Sequence, residues 1–233
     1  MANLEHLALL QEYPLKWMEW RRQNPEVELD FTEASLAGAI LKEAHLQRVN
    51  FTGANLSLAN LNAAKLTKAD LSDANLIGAD LRGADLRGAT LSNTNLIGAD
   101  LSFANLKGAD LGAAKAMGTN LSFANLMAAN LSEAELSKAN FYEAELTGAF
   151  LYKANLYKAN LSEAHLCGTY IFRGNLSEAL INGADLRWVN LGKANLSGAD
   201  LRGANLRGAN LDKTNLAGAI LEGAIMPDGT KYE

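Results

Sequence analysis

Large apolar residues return at every fifth position from Phe31 to Met226, broken only by Ala116, and no insertion or deletion shifts the phase. Two residues before each stands a small residue, nearly always Ala, and one residue before stands most often Asp or Asn, as in Ala79-Asp80-Leu81-Arg82-Gly83. A period of five fits neither straight element. On an α-helix five residues overshoot a full turn by about 140° and scatter the leucines around the cylinder. On a strand the faces alternate with period two, so an odd repeat sends successive leucines to opposite sides. Within one repeat, the alanine at i−2 and the leucine at i do share a face, as a short extended segment requires. The chain must therefore turn once per repeat, with every leucine pointing to a common axis and the polar positions pointing out.

Residues one coil apart stack, so near-identical segments should recur at the coil length. Leu76-Ile77-Gly78-Ala79-Asp80 recurs as Leu96-Ile97-Gly98-Ala99-Asp100, and Leu101-Ser102-Phe103-Ala104-Asn105 recurs as Leu121-Ser122-Phe123-Ala124-Asn125. Both offsets are twenty. This predicts four sides per coil and about ten coils, rising ~4.8 Å each into a rod about 50 Å long.

The first residues differ in kind. Leu4, Leu7 and Leu10 form a helical stripe, and Pro14 opens a second short helix through Trp17 and Trp20 that Asn24-Pro25 stops. The expected organisation is a helical N-terminal cap over 1–29, a β-helix over 30–226 and a C-terminal cap or tail over 227–233. Solenoid ends expose unpaired edges and apolar faces that need cover. Two covered ends argue against end-to-end stacking, and a monomer is expected.

Composition narrows the function. Aromatics are 7% of the chain although apolar residues reach 48%, so the interior is built from few side-chain shapes. A net charge of −5 leaves no cationic excess for binding nucleic acid directly. The single Cys167 excludes an intrachain disulfide, and His6, His45 and His165 have no metal-ligand spacing. No stretch of about 18 apolar residues occurs, so neither membrane nor cofactor is expected, and the location is read as cytoplasmic. Catalysis needs groups that converge in a concave pocket, and a filled rod offers none. His45 and His165 would stand about 29 Å apart along it, and no cation adjoins Cys167 in its own repeat to lower its pKa. No catalytic residue is assigned, and the chain is read as a non-enzyme.

With the motif Ala-(Asp/Asn)-Leu-x-x covering residues 31–226, the chain resembles the pentapeptide-repeat family. The resemblance implies an all-β fold, a right-handed quadrilateral β-helix, and the handedness comes from the family alone. The lead-in Trp17-Met18-Glu19-Trp20-Arg21-Arg22-Gln23-Asn24-Pro25 is similar to that of cyanobacterial members, and Met226-Pro227-Asp228-Gly229-Thr230 resembles the family's terminator. Likeness to members that regulate heterocyst differentiation implies a protein partner, the transcription factor HetR, whose inhibitory peptide would be countered. Other members resemble duplex DNA and inhibit or protect topoisomerases such as gyrase, which is the alternative. Against it stand the modest charge, the pairs Arg82/Arg87 and Arg202/Arg207, and the use of Asn as readily as Asp, which suits corner-forming hydrogen bonds better than charge mimicry.

The outward positions are mostly small or charged, and they change character near residue 150. Phe150 and Tyr170 fall at i−1 on one side, one coil apart, and Tyr152 and Phe172 fall at i+1 on that side. Four aromatics are expected in one stacked patch with Arg173 at its rim, the composition of a protein-binding hot spot. The same rings also make a ladder that stiffens the coils, and the two roles are compatible. Tyr142 and Tyr157 belong to other sides, and the repeat consensus lapses nearby at Thr169 and Gly174. Phe103 and Phe123 form a second, smaller ladder read as structural, and the lapse at Lys115-Ala116-Met117 reads as slack in the core. Which of the four faces binds stays open.

Overall fold

The computed structural model describes residues 4–12 and 14–233. The chain opens with helices α1 (Leu4–Glu12) and α2 (Pro14–Gln23). The parts of the expected cap at residues 1–3 and 13, and the side chain of Leu4 in its stripe, lie outside the described residues. From Asp30 onward one unit repeats: a bridge residue at i−1, the core residue at i, and a two-residue turn. Between coils the bridges are parallel and join residues twenty apart, from Asp30 with Asn50 to Asn205 with Ile225. The expected offset therefore holds, and the chain completes one circuit of four segments every twenty residues. The extended part of each side is shorter than expected, a single bridge residue and not a strand. Two of every five residues are consumed by the turn, and none is left to lengthen the ladder.

The repeat at Leu121 shows why this unit is self-consistent. The Leu121 amide donates to Asn140 O at 2.7 Å, Phe123 to Tyr142 O at 2.9 Å, and Asn125 to Ala104 O at 2.9 Å, which ties each coil to both neighbours. The Ala124 amide closes the turn on Leu121 O at 3.1 Å. Only the amide at i+1 remains, and the Asn120 side chain accepts it: Ser122 N to Asn120 Oδ1 is 3.2 Å. Every backbone N–H of the repeat is satisfied, as burial against a dry core demands. The preference for Asp or Asn at i−1 follows, since a short side-chain oxygen two residues upstream is what that amide requires.

The turn residue at i+2 has positive φ at every fifth position from Glu33 to Gly223, the signature of a type II turn. Glycine often sits there, but so do Lys138, Phe103 and Trp188, with φ of 60, 60 and 59°. These side chains are thrown outward from the corners of the coil.

Leucine and alanine fill the interior, and the exceptions are compensated. Buried Thr94, Thr119 and Thr169 donate their hydroxyls to the carbonyls of Leu71, Leu96 and Leu146 at 2.7, 2.7 and 2.9 Å. At Gly174 an added Cβ would stand 2.7 Å from the Cγ2 of Ile171, so the β-branched core residue occupies the space the missing methyl vacates. The lapses at Thr169 and Gly174 are thus core solutions.

At the N-terminal end Leu10 and Trp17 are buried, with the Trp17 ring 6.1 Å from Phe31 and Phe31 stacked 5.5 Å from Phe51. Arg21 fastens α2 to the first coil by donating to the carbonyls of Asn24, Val27 and Gln47. At the other end Ile225 pairs antiparallel with Lys231, and Tyr232 N donates to Ala224 O at 2.8 Å. This hairpin covers one side, and Leu211, Leu216 and Leu221 stay partly exposed. No described helix is long and apolar enough to cross a membrane.

Candidate functional site

The rod's own chemistry is spent on itself. The carboxylates of Asp80, Asp85, Asp185 and Asp200 each hold the arginine two residues on, at 2.7, 2.7, 2.6 and 2.6 Å. Those contacts are to Oδ2, and the other oxygen, Oδ1, accepts the arginine's backbone amide. The hydrogen bond from each arginine side chain holds these carboxyls below the usual carboxylate range. Arg82, Arg87 and Arg202 are therefore neutralised in place. Among the described residues no group of His, Cys, Asp and Glu side chains is arranged to hold a metal ion. Grooves lie beside the helices, lined by Arg21, Arg22, His45 and Arg48, and beside the tail, lined by Glu222, Lys231 and Tyr232. Neither is lined by Phe150, Tyr152, Tyr170 or Phe172.

Of the four expected rings, the fold brings three together. Tyr152 and Phe172 lie nearly parallel, 7° between planes, with centroids 6.4 Å apart, and Tyr170 stacks on Phe172 at 6.0 Å. Phe150 is bridged to Tyr170 through the backbone and is 52% exposed, yet it meets no other ring among the described residues. Arg173 does border the cluster, 5.7 Å from the Phe172 centroid. Lys193 stands over the same ring at 5.5 Å and Lys153 over Tyr152 at 5.1 Å. Two of the three rings thus carry cations at geometry that favours cation–π attraction, Phe172 holding two and Tyr152 one.

Lys153 and Lys193 escape a reading of one repeat at a time. They become visible when every twentieth residue is read along the corner: Glu33, Gly53, Asp73, Asn93, Ala113, Glu133, then Lys153, Arg173, Lys193 and Lys213. The corner switches from acidic or neutral to wholly cationic where the aromatics begin.

The second ladder is as large as the first. Phe103 and Phe123 stack at 4.9 Å with 5° between planes, and Tyr142 joins edge-on at 5.6 Å and 84°. The hydrogen bond to Glu143 raises the Tyr142 phenol above its usual pKa. Tyr157 stands apart, donating to Glu178 at 3.2 Å, with Lys158 over its ring. Trp188, 66% exposed and lying over Gly208, was not anticipated. Nor was the apolar line of Leu58, Ile77 and Met117 on another side.

No curated protein matches the chain. Among solved structures it is similar to HetL, a pentapeptide repeat protein involved in heterocyst differentiation regulation from Nostoc sp. strain PCC 7120, at 39% identity over 88% of this chain and 90% of that one, TM-score 0.43. A trypsin-treated variant of QnrB1, a plasmid-mediated fluoroquinolone resistance protein, shares the fold at 17% identity, TM-score 0.54, over 82% of this chain and 87% of that one. Sequence signatures described as pentapeptide repeats match in 8 copies that together run from residue 30 to residue 226. With the five-residue unit, the twenty-residue pairing and these matches in agreement, the chain belongs to the pentapeptide-repeat family.

Proposed function

We propose that this chain is a non-enzymatic, protein-binding solenoid, a regulator of heterocyst differentiation that acts on the transcription factor HetR and counters its inhibitory peptide. In this reading it is a cytoplasmic monomer, with residues 1–29 and 227–233 closing a right-handed quadrilateral β-helix of about ten coils. The contact surface is Phe150, Tyr152, Tyr170, Phe172 and Arg173. The observation that carries it is the half-buried cluster of three rings with cations over two of them, beside the exposed Phe150, on coils that backbone hydrogen bonds tie together. Such a surface is held rigid before any partner arrives, so little ordering entropy opposes binding. Identity of 39% with HetL supports the biological setting.

A rigid face acts on HetR by favouring one of its states, which requires unequal affinity for the peptide-bound and peptide-free forms. The acidic, DNA-like alternative has less support, because the carboxylates of Asp80, Asp85, Asp185 and Asp200 are each engaged by an arginine. Calorimetric titration of HetR with the wild-type chain and with a folded Tyr152→Ser/Tyr170→Ser/Phe172→Ser variant tests the reading, with and without the inhibitory peptide. Binding by the wild type, weakened by the peptide and by the ring substitutions, is expected. Equal binding by both chains would remove this surface from the interface, and inhibition of gyrase supercoiling without HetR binding would favour the alternative.

A further inference from the structure

Lys153, Arg173, Lys193 and Lys213 occupy one corner in four successive coils, each in the same left-handed turn position, with φ of 55, 61, 58 and 56°. Backbone hydrogen bonds link the coils directly at these residues: Lys153 N to Phe172 O at 3.0 Å, Arg173 N to Gly192 O at 3.0 Å, and Lys193 N to Asp212 O at 2.8 Å. Their side chains consequently leave the rod in register, about 4.8 Å apart along its axis. Lys153 has an exposed partner in Glu133 at 3.3 Å. Arg173, Lys193 and Lys213 are exposed and form no ion pair among the described residues.

Several isolated cations, Lys107 and Arg207 among them, likewise form no ion pair among the described residues, whereas these four stack on one corner. Arg82, Arg87, Arg187 and Arg202 each sit beside an aspartate in their own repeat. Like charges stacked at this spacing repel, at a cost that is modest in water and grows when water is excluded. A protein of net charge −5 thus leaves three stacked cations, Arg173, Lys193 and Lys213, without an ion pair beside its half-buried ring cluster. The complement is a surface with carboxylates in a row and an apolar edge.

We propose that this column, with the rings of Tyr152, Tyr170 and Phe172 beside it, is the docking strip for an acidic amphipathic α-helix of a partner protein, laid along the rod axis. The repeat distances agree. Carboxylates at alternating i+3 and i+4 steps on a helix rise by about 4.5 and 6 Å, so four of them span about 15 Å. Four cations one coil apart span nearly the same, about 14 Å. An extended segment with alternate acidic residues rises about 6.8 Å per carboxylate and runs out of register by the third. The apolar edge of the helix meets Tyr170 and Phe172, and its carboxylates displace water from Arg173, Lys193 and Lys213. The inference rests on the protein-binding reading of this surface and adds the chemistry of what binds there.

The test uses the whole chain and a fluorescein-labelled helical peptide of about fifteen residues, with glutamates on that spacing and leucines on the adjoining line. Controls are the same peptide with Gln for every Glu, and an oligothymidylate of equal charge. Fluorescence anisotropy should show the Glu peptide binding about tenfold tighter than the Gln peptide, with affinity falling as salt rises. Lys193→Glu/Lys213→Glu, exposed and remote from the core, should weaken it about tenfold without shifting the melting temperature. Equal binding of the Glu and Gln peptides, both abolished by Tyr152→Ser/Tyr170→Ser/Phe172→Ser, would overturn the charge assignment and leave the protein-binding surface standing. Oligothymidylate binding as tightly as the Glu peptide would show a general polyanion strip and sink the helix. No binding of either peptide would sink the inference, whereas HetR bound equally well by the ring variant would remove the broader reading as well.

Discussion

The ring of Phe172 lies across Gly192 on the next coil, so that a Cβ added to Gly192 would stand 3.0 Å from Cδ2 and 3.1 Å from Cε2. Gly192 does not have a positive φ, so alanine is acceptable to its backbone. Its absent side chain therefore serves the ring. Gly192→Ala should push the ring outward by a few tenths of an ångström and loosen its contacts with Tyr170 and Lys193. Stability should change by less than about 1 kcal/mol, since alanine also restricts the unfolded chain. Partner affinity should fall although the rod stays folded. Paired denaturation and titration curves separate the two effects, and unchanged affinity would mean that the ring orientation is immaterial to binding.

Corners offer a cleaner backbone experiment. Gly108 has φ of 65° and no atom within 4 Å of the place a Cβ would take. Gly108→Ala makes no clash, yet should destabilise by about 1 kcal/mol because the left-handed conformation itself disfavours a side chain. In the opposite sense, Lys138→Gly at φ 60° relieves that strain and gives back unfolded-state entropy, for a net change near zero. Urea midpoints of the two variants should differ in this order; a Gly108→Ala midpoint equal to wild type would show that the coil absorbs the strain.

The period, the coil length and the role of Asp and Asn were all legible because each repeats dozens of times in phase. Leu76-Ile77-Gly78 returning at Leu96-Ile97-Gly98 reports stacking directly, and Asn in place of Asp at i−1 reports an acceptor requirement independent of charge. The left-handed corner was hidden, because Glu33, Phe103 and Trp188 occupy it as well as glycine despite the strain. Phe150 was placed correctly by its phase, but whether its ring joins a stack is decided by side-chain rotation, which spacing does not encode. The cationic column was present in the sequence at intervals of twenty and invisible at intervals of five.

Acid should weaken the rod through four specific pairs. Hydrogen bonding to Arg82, Arg87, Arg187 and Arg202 lowers the pKa of Asp80, Asp85, Asp185 and Asp200 below the unfolded value of 3.8. The folded state then binds fewer protons than the unfolded state in this range, so the contribution is complete above about pH 4 to 5 and lost as pH falls through the depressed values. Replacing all four by Asn keeps the oxygen that accepts the i+1 amide and removes the ion pairs together with the Oδ2 acceptor of each arginine. The quadruple variant should be slightly less stable at pH 7, where exposed pairs contribute little, and its stability should decline less steeply between pH 4 and pH 2. Urea midpoints across that range give the comparison. Parallel curves would assign the acid limb to other carboxylates, Asp30 and its bonds to Thr32 among them.

One side carries an amide ladder whose members are not interchangeable. Asn160 Nδ2 donates to Asn140 Oδ1 at 3.0 Å, Asn140 to Asn120 at 3.2 Å, and Asn120 to Asp100 at 3.1 Å. Asn140 Oδ1 also accepts the Tyr142 amide at 3.2 Å, so one oxygen closes a corner while the nitrogen reaches the coil before. Asn140→Ala loses both functions and leaves the Tyr142 amide without its acceptor, which should cost about 1 to 3 kcal/mol. Asn140→Asp keeps the acceptor but has no donor for Asn120, and should cost less, about 1 kcal/mol. The order Ala worse than Asp is the informative result in chemical denaturation. Equal losses would mean that the ladder between coils matters more than the corner, and that Asn recurs at i−1 for its nitrogen as much as for its oxygen.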